Sequence, residues 1–305
     1  MLTEKKETMG ALLVCLAATL WGFDSIVLTP NLFKLSVPYV VFMVHLLPFV
    51  GMTLLFGREE LKNIKKLDGK DLTYFFLVAL FGGSLGTLSI VKALFLVNFD
   101  HLTVVTLLQK LQPVFAVILA WIVLKEKITK QFVFWAILAL IGGYFLTFEF
   151  NTPQMAYNGN MLLACGYSLL AAFSFGSATV FGKRILKNAS FRTALYLRYS
   201  FTTFIMFIIN IFSGTLANIH TTQPFHWFIF IVIGLTSGSG AILLYYKGLR
   251  YIPANVATIC ELCFPVSSIL FDFIFNGKFL SGIQVISTIV MLFSIYKITQ
   301  SQRNN

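Results

Sequence analysis

Residues 106–114 read TLLQKLQPV, and residues 258–266 read TICELCFPV. Both segments begin with threonine and end with Pro-Val, and their corresponding positions lie 152 residues apart. The same spacing relates the Gly-xxx-Gly pairs that begin at Gly82 and Gly234. Further matches at this spacing are residues 21–25 with 173–177, and Ile137, Leu140, Tyr144 and Thr147 with Ile289, Leu292, Tyr296 and Thr299. A constant spacing over so many positions predicts a chain of two related halves.

The composition places the chain in a membrane. Hydrophobic residues make up 57% of the chain and charged residues 11%, whereas an ordinary soluble domain has about 25% charged residues. A helix that crosses a bilayer needs about 20 apolar residues, and long unbroken apolar runs predict helices rather than the alternating strands of a membrane barrel. The predicted spans are Gly10–Leu28, Val37–Phe56, Leu72–Val97, Leu102–Leu124, Phe132–Phe148, Gly159–Phe181, Thr193–Phe212, Trp227–Tyr246, Ala254–Phe275 and Leu280–Ile298.

Lysine and arginine are distributed unequally between the two ends of these spans. With the N-terminus in the cytoplasm, 18 of the 23 basic residues lie in inner segments and two, Lys34 and Lys278, in outer ones. This bias predicts that both termini are cytoplasmic. Five spans per half is an odd number, so the halves, residues 1–150 and 151–305, enter the membrane from opposite sides. We therefore predict an all-α integral membrane protein, multi-pass in the cytoplasmic (inner) membrane, with ten transmembrane helices in two inverted five-helix repeats.

Several classes of function are not expected. The net charge of +11 comes from loops between apolar runs and not from one basic face, so nucleic acid is not an expected partner. The sequence has no zinc-protease helix, no phosphate-binding Gly-Lys loop and no nucleophile elbow. We expect no catalytic residues, no cofactor and no metal. The expected partners are the lipid bilayer and a small-molecule substrate, and the chain is expected to be a monomer or homodimer.

The two prolines of the repeated segments indicate a binding site. Pro113 and Pro265 lie within predicted spans, where proline leaves the carbonyl four residues earlier without its helical hydrogen bond. Those carbonyls belong to Gln109 and Glu261, so each half places a polar side chain beside a free carbonyl. Such a turn is costly in hydrocarbon unless it faces a wet cavity or another part of the protein. The predicted substrate-binding residues are Thr106, Gln109, Lys110, Thr258 and Glu261, with Asp24 added from the first span.

Each of these residues also has a structural interpretation. The threonines are explained equally well by hydrogen bonds to a neighbouring helix. A charge near the bilayer centre is costly, so Lys110 and Glu261 either pair with each other, or Lys110 meets a substrate carboxylate while Glu261 exchanges a proton. Asp24 is a candidate for a substrate ammonium, and His45 is a second candidate for proton coupling, although an interhelical hydrogen bond explains both.

Three basic residues within or at the ends of spans are assigned to structure rather than function. Lys92 and Lys247 lie near the C-terminal ends of their predicted helices, where a cation suits the helix dipole. Arg198 lies one turn into the seventh span and is expected to extend its side chain to the cytoplasmic interface.

The arrangement resembles the EamA type of the drug/metabolite transporter superfamily. The resemblance covers nearly the whole chain and rests on the two halves, the Trp21-Gly22 pair and the proline-containing segments 107–127 and 254–278. In that family the proline helix usually ends in a Gly-Glu or similar pair. Here the first half has Lys125-Glu126, while the second ends in Gly277-Lys278 and lacks the acid. The resemblance implies a central cavity between the halves and transport of amino acids, other small metabolites or amphiphilic compounds, commonly as export, without ATP.

Together these observations predict a secondary transporter that works by alternating access. The expected substrate is an amino acid or a related zwitterionic or anionic compound, moved by an exporter or exchanger. A membrane-embedded enzyme that acts on a lipid-linked substrate and a passive metabolite channel are the alternatives.

Overall fold

The computed structural model describes residues 2–96, 108–151, 159–277 and 279–301. Within these ranges the chain is helical and contains no strand, which confirms the all-α class. The helices are α1 (Lys5–Leu32), α2 (Val37–Ile64), α3 (Gly69–Ala93), α4 (Gln112–Leu124), α5 (Lys130–Phe148), α6 (Asn160–Ile185), α7 (Phe191–Ser213), α8 (Pro224–Leu249), α9 (Ala254–Asn276) and α10 (Gly282–Gln300).

Nine of these described helices are long and apolar enough to cross a membrane, and α4 is a shorter apolar helix. The predicted fourth span begins at Leu102, which lies outside the described residues. The count of ten spans therefore stays a prediction, as do the cytoplasmic termini and the division of the chain at residue 150.

Both repeated proline segments contain an interruption of the helix. The chain makes a turn at Lys110–Leu111 before α4, and a matching turn at Glu261–Leu262 within α9. In the second turn the Phe264 amide donates to the Glu261 carbonyl at 2.9 Å. The carbonyl that the sequence left free is therefore satisfied by a tighter turn, and the polar group available at this position is the Glu261 side chain.

The two halves exchange their first helices. The first helix of the first half, α1, packs mainly on α8 and α9 of the second half. The corresponding helix of the second half, α6, packs mainly on α3 and α4 of the first. The pairs α2 with α7 and α5 with α10 join the halves further. These reciprocal contacts bring four helices of each half around one central space.

Two glycines, Gly10 and Gly248, allow a close approach of the α1 and α8 backbones. A Cβ atom built on Gly248 of α8 would lie 2.5 Å from the carbonyl oxygen of Gly10 in α1, and one built on Gly10 would lie 2.9 Å from the carbonyl oxygen of Gly248. The backbones of α1 and α8 therefore touch where neither helix has a side chain.

One end of the bundle, here called the Glu60 end, is joined by polar contacts. The buried Glu60 carboxylate accepts hydrogen bonds from Arg192 Nε and Thr193 Oγ1, both at 2.7 Å. Next to it, Asn188 Nδ2 donates to Asp71 Oδ1 at 2.9 Å. The opposite end, here called the Asn218 end, joins α2 to the segment after α7, since the Ser36 amide donates to Asn218 Oδ1 at 2.9 Å.

The C-terminal end of α4 carries a second link between the halves. Both oxygens of the Glu126 carboxylate accept backbone amides at the start of α9, from Ala254 at 2.8 Å and Asn255 at 3.0 Å. A carboxylate at this place satisfies free amides and suits the positive end of the helix dipole. The residue before it, Lys125, has a left-handed backbone with φ of 58°, and Gly277 has the same conformation at the end of α9, with φ of 67°.

Replacing Lys125 by glycine is expected to stabilise the protein by about 1 kcal/mol, because a left-handed backbone is strained for residues other than glycine. Thermal unfolding in detergent measures this as a rise in Tm of about 2 °C. The matched change Gly277→Ala places the same strain in the other half and should lower Tm. Equal Tm values for Lys125→Gly and the parent would contradict the expectation.

Candidate functional site

A cavity of about 420 Å³ lies between the halves, within the range of about 300–1,000 Å³ that small-molecule sites occupy. Aromatic side chains from several helices line it, namely Trp21, Phe175, Tyr199, Tyr245 and Phe264. Polar and charged side chains lie among them, so the cavity suits a ligand that is both flat and polar.

Glu261 has the most hydrogen-bond partners of the charged side chains in this cavity. Its Oε1 accepts from Tyr245 Oη at 2.8 Å and from Thr179 Oγ1 at 3.1 Å, and its Oε2 accepts from Gln112 Nε2 at 2.6 Å. Tyr245 also packs against Trp21, with ring centroids 5.6 Å apart. The turn before Pro265 thus holds a carboxylate that is fixed by neutral donors from α4, α6 and α8.

Asp24 and His45 line the same cavity. Asp24 begins a π-helical turn in α1, Asp24–Leu28, and accepts from Thr29 Oγ1 at 3.0 Å. His45 Nδ1 lies 2.8 Å from the Val41 carbonyl, and its ring lies 5.0 Å from that of Tyr199. These two bonds lie within α1 and within α2, so they are not the interhelical hydrogen bonds of the structural interpretation, and both side chains also face the cavity.

A smaller cavity of about 60 Å³ lies between the two helix interruptions. Its lining includes Gln109, Lys110, Pro113, Thr258, Glu261 and Pro265. Gln109 and Glu261 line both cavities. Four predicted site residues from the two halves thus meet here, while Thr106 lies outside the described residues.

Lys110 and Glu261 have separate partners. The Lys110 ammonium donates to the Gly143 carbonyl at 3.2 Å and to Thr147 Oγ1, both on α5. The Glu261 carboxylate is held by the neutral donors described above. In the described structure Lys110 and Glu261 therefore do not form an ion pair with each other. Of the two cavities, Lys110 lines the smaller one.

Arg198 lies in the central cavity and not at the interface. Its Nη1 is 3.4 Å from Tyr246 Oη, and its side chain lines the cavity beside Gly82 and Ala178. The expectation that it extends to the cytoplasmic interface is wrong, because α7 turns this side chain toward the other helices. The signal in the sequence was a full charge within an apolar span, which often marks a functional position.

Three neutral residues of the site had no signal of their own in the sequence. Gln112, Thr179 and Tyr245 matter because they reach Glu261 from three different helices. In the described part of the chain, no three His, Cys, Asp or Glu residues come together in a way that would hold a metal ion.

Comparisons with known proteins agree with this architecture. A model of the EamA-like transporter family matches residues 8–148 and again residues 162–300. A protein named riboflavin transporter ImpX, from Fusobacterium nucleatum subsp. nucleatum, is 65% identical over 291 residues, which cover 95% of this chain and 97% of that protein. A solved structure described only as "Crystal structure of protein" has a TM-score of 0.72 at 15% identity, with 97% of this chain and 98% of that chain covered, and it shows the fold alone. The chain is a small-metabolite transporter of the cytoplasmic membrane rather than an enzyme, and it belongs to the EamA-like transporter family.

Proposed function

We propose that this protein transports riboflavin and binds it in the central cavity. The observation that carries the proposal is the 65% identity, over nearly the full length of both chains, to a protein named as a riboflavin transporter. At such identity, the side chains around a shared cavity are expected to be largely the same.

The chemistry of the cavity supports this substrate. Riboflavin joins a flat three-ring system, with carbonyls along one edge, to a chain of hydroxyl groups. The rings need apolar and aromatic faces, which Trp21, Phe175 and Tyr199 offer. The hydroxyl groups need acceptors and donors, and we assign this role to Asp24, Gln109 and Glu261.

Alternating access would use the two interruptions of the helices. The largest group of buried apolar side chains includes Val14, Phe75 and Tyr246 and fills mainly the Glu60 end. Toward the Asn218 end, buried side chains form separate clusters, one around Phe230 and one around Ala93. We propose that the Glu60 end is the closed gate in this structure and that bending at the turns before Pro113 and Pro265 opens it.

We keep proton coupling as part of the proposal, with Glu261 and His45 as its candidates. Both line the cavity, so protonation of either side chain would change the binding of the substrate. An imposed pH gradient should change the initial rate of riboflavin transport in proteoliposomes. A rate that does not change would remove the coupling and leave riboflavin transport in place.

An amino acid is the second candidate substrate. The observation in its favour is that Arg198 lies in the same cavity as Asp24 and Glu261, so opposite charges are available for a carboxylate and an ammonium. We also propose that the protein works as an exporter or exchanger, and that it is a monomer or homodimer.

Purified protein in proteoliposomes tests the substrate. We expect saturable riboflavin transport, measured by flavin fluorescence, and counterflow when unlabelled riboflavin is loaded inside. An excess of mixed amino acids should leave that rate unchanged, and empty liposomes are the control. Strong inhibition by amino acids, with no riboflavin signal, would favour the second candidate, whereas flux without saturation or counterflow would indicate a channel.

A further inference from the structure

The Arg198 guanidinium has more hydrogen-bond donors than the protein satisfies. Arginine carries five N–H donors, and here Nη1 reaches Tyr246 Oη at 3.4 Å while the buried Nε has no partner among the described residues. A buried donor without an acceptor costs free energy comparable to a lost hydrogen bond. A cation left in this condition on a cavity wall is available to a ligand.

A second polar group, the Ser237 hydroxyl, lines the same cavity. Ser237 on α8 is 3% exposed, and its hydroxyl makes no hydrogen bond of ordinary geometry among the described residues, although it interacts with the Asp24 carboxylate. Its backbone carbonyl is already used, since Trp21 Nε1 donates to it at 3.0 Å. The Arg198 guanidinium on α7 and the Ser237 hydroxyl on α8 therefore line one cavity, and neither has its full set of hydrogen bonds among the described residues.

The guanidinium is held in position by close packing. A Cβ atom built on Gly82 would lie 3.2 Å from Arg198 Nη2, 3.3 Å from Nη1 and 2.7 Å from the Cβ of Ala178. Gly82 belongs to the π-helical turn of α3, Ala79–Leu85. Only a glycine leaves space for the arginine at this place, so the donors have little freedom to turn toward other partners.

The carboxylates of the cavity do not occupy the arginine. Glu261 is held by neutral donors, and Asp24 accepts from Thr29. Among the described residues, the ion pairs of arginine involve Arg192, with Glu59 and Glu60, and not Arg198. With two acids and one arginine on its wall, the cavity would add repulsion for a phosphate but not for a neutral carbonyl.

From these contacts we infer that Arg198 binds the carbonyl-bearing edge of the flavin ring, with the Ser237 hydroxyl bonded to the same ligand. This rests on the proposed function, and it assigns selection against the phosphate ester to the two acids of the same cavity, Asp24 and Glu261. The fork of N–H groups matches a ring edge on which a carbonyl oxygen and a ring nitrogen lie side by side.

Binding to purified protein tests the inference, with quenching of flavin fluorescence as the readout. Arg198→Gln should raise the Kd for riboflavin by roughly 10- to 100-fold, because it removes a charged hydrogen-bond donor, and Arg198→Lys should lie between. Gly82→Ala should weaken binding through displacement of the guanidinium. Arg184→Gln is the matched control, since Arg184 lies over the Tyr74 ring, away from the cavity.

A flavin analogue identifies the bonded edge. In 2-thioriboflavin a carbonyl oxygen is replaced by sulfur, which accepts hydrogen bonds weakly. The parent should bind this analogue more weakly than riboflavin, and Arg198→Gln should bind both equally. If the sulfur substitution raises the Kd of Arg198→Gln by the same factor as that of the parent, the arginine does not contact that edge and the inference fails.

The outcomes separate the inference from the proposed function. Riboflavin binding by the parent, with equal Kd in folded Arg198→Gln and Arg198→Lys, overturns the inference and leaves riboflavin as the substrate. No riboflavin binding by the parent overturns both. Binding of riboflavin 5′-phosphate as tight as that of riboflavin overturns the assignment of selection for the neutral ligand to Asp24 and Glu261.

Discussion

Glu261→Ala is expected to lower the initial rate of riboflavin transport by about 100-fold or more. The change removes the charged acceptor of Gln112, Thr179 and Tyr245 at once. Tyr245 keeps Thr179 Oγ1 and Thr179 keeps the Phe175 carbonyl as neutral acceptors. A hydrogen bond to a charged group is worth about 1.5–3 kcal/mol, and about 1.4 kcal/mol in a barrier corresponds to a factor of ten in rate. The three side chains would then turn toward new partners and change the wall of the cavity. Proteoliposome uptake, corrected for the amount of folded protein, measures the effect.

Two variants show whether position or charge is responsible. Glu59→Ala removes an acidic residue that is exposed at the Glu60 end, where it pairs with Arg192, and should leave the rate unchanged. Glu261→Gln keeps the shape but removes the charge, so we expect counterflow to persist while the response to a pH gradient is lost. Transport by Glu261→Ala at the rate of the parent would show that the carboxylate has no part in the site.

Gly248→Leu is expected to destabilise the protein by about 3 kcal/mol. The new side chain would begin 2.5 Å from the Gly10 carbonyl oxygen and 2.9 Å from a methyl group of Val14, so α1 and α8 would have to separate. Overpacking of this kind typically costs 1–3 kcal/mol and more where backbone must move. Thermal unfolding in detergent should show Tm lower by roughly 6 °C.

The control is Gly166→Leu on α6, where a Cβ atom meets nothing within 4 Å. We expect its Tm to equal that of the parent. If Gly248→Leu were as stable as Gly166→Leu, the contact between α1 and α8 would be looser than the structure shows.

The sequence predicted the architecture because its signals are periodic and long. A run of about 20 apolar residues and a constant spacing of 152 residues do not depend on knowing how helices pack. The same spacing relates Gln109 to Glu261 in the sequence, and in the structure both residues line the two cavities. The family match confirms the class of protein that this pattern indicated.

The cavity wall could not be predicted in the same way. Whether Arg198 points to the interface or to the cavity depends on which helices pack on each face of α7, which the sequence of this one helix does not state. Gln112 and Thr179 are ordinary polar residues until Glu261 comes within 3.1 Å. The contact of Lys110 with the Gly143 carbonyl of α5 depends likewise on which helices are neighbours.

The exchange of first helices has a consequence for biosynthesis. During translation α1 is inserted first, but the helices that it packs on, α8 and α9, are completed only when residue 276 has been made. The polypeptide up to α5 therefore enters the bilayer with its leading helix lacking its main partners. Native packing of the first half must then follow insertion of the second, so the ribosome releases a chain whose two halves fold together rather than in turn.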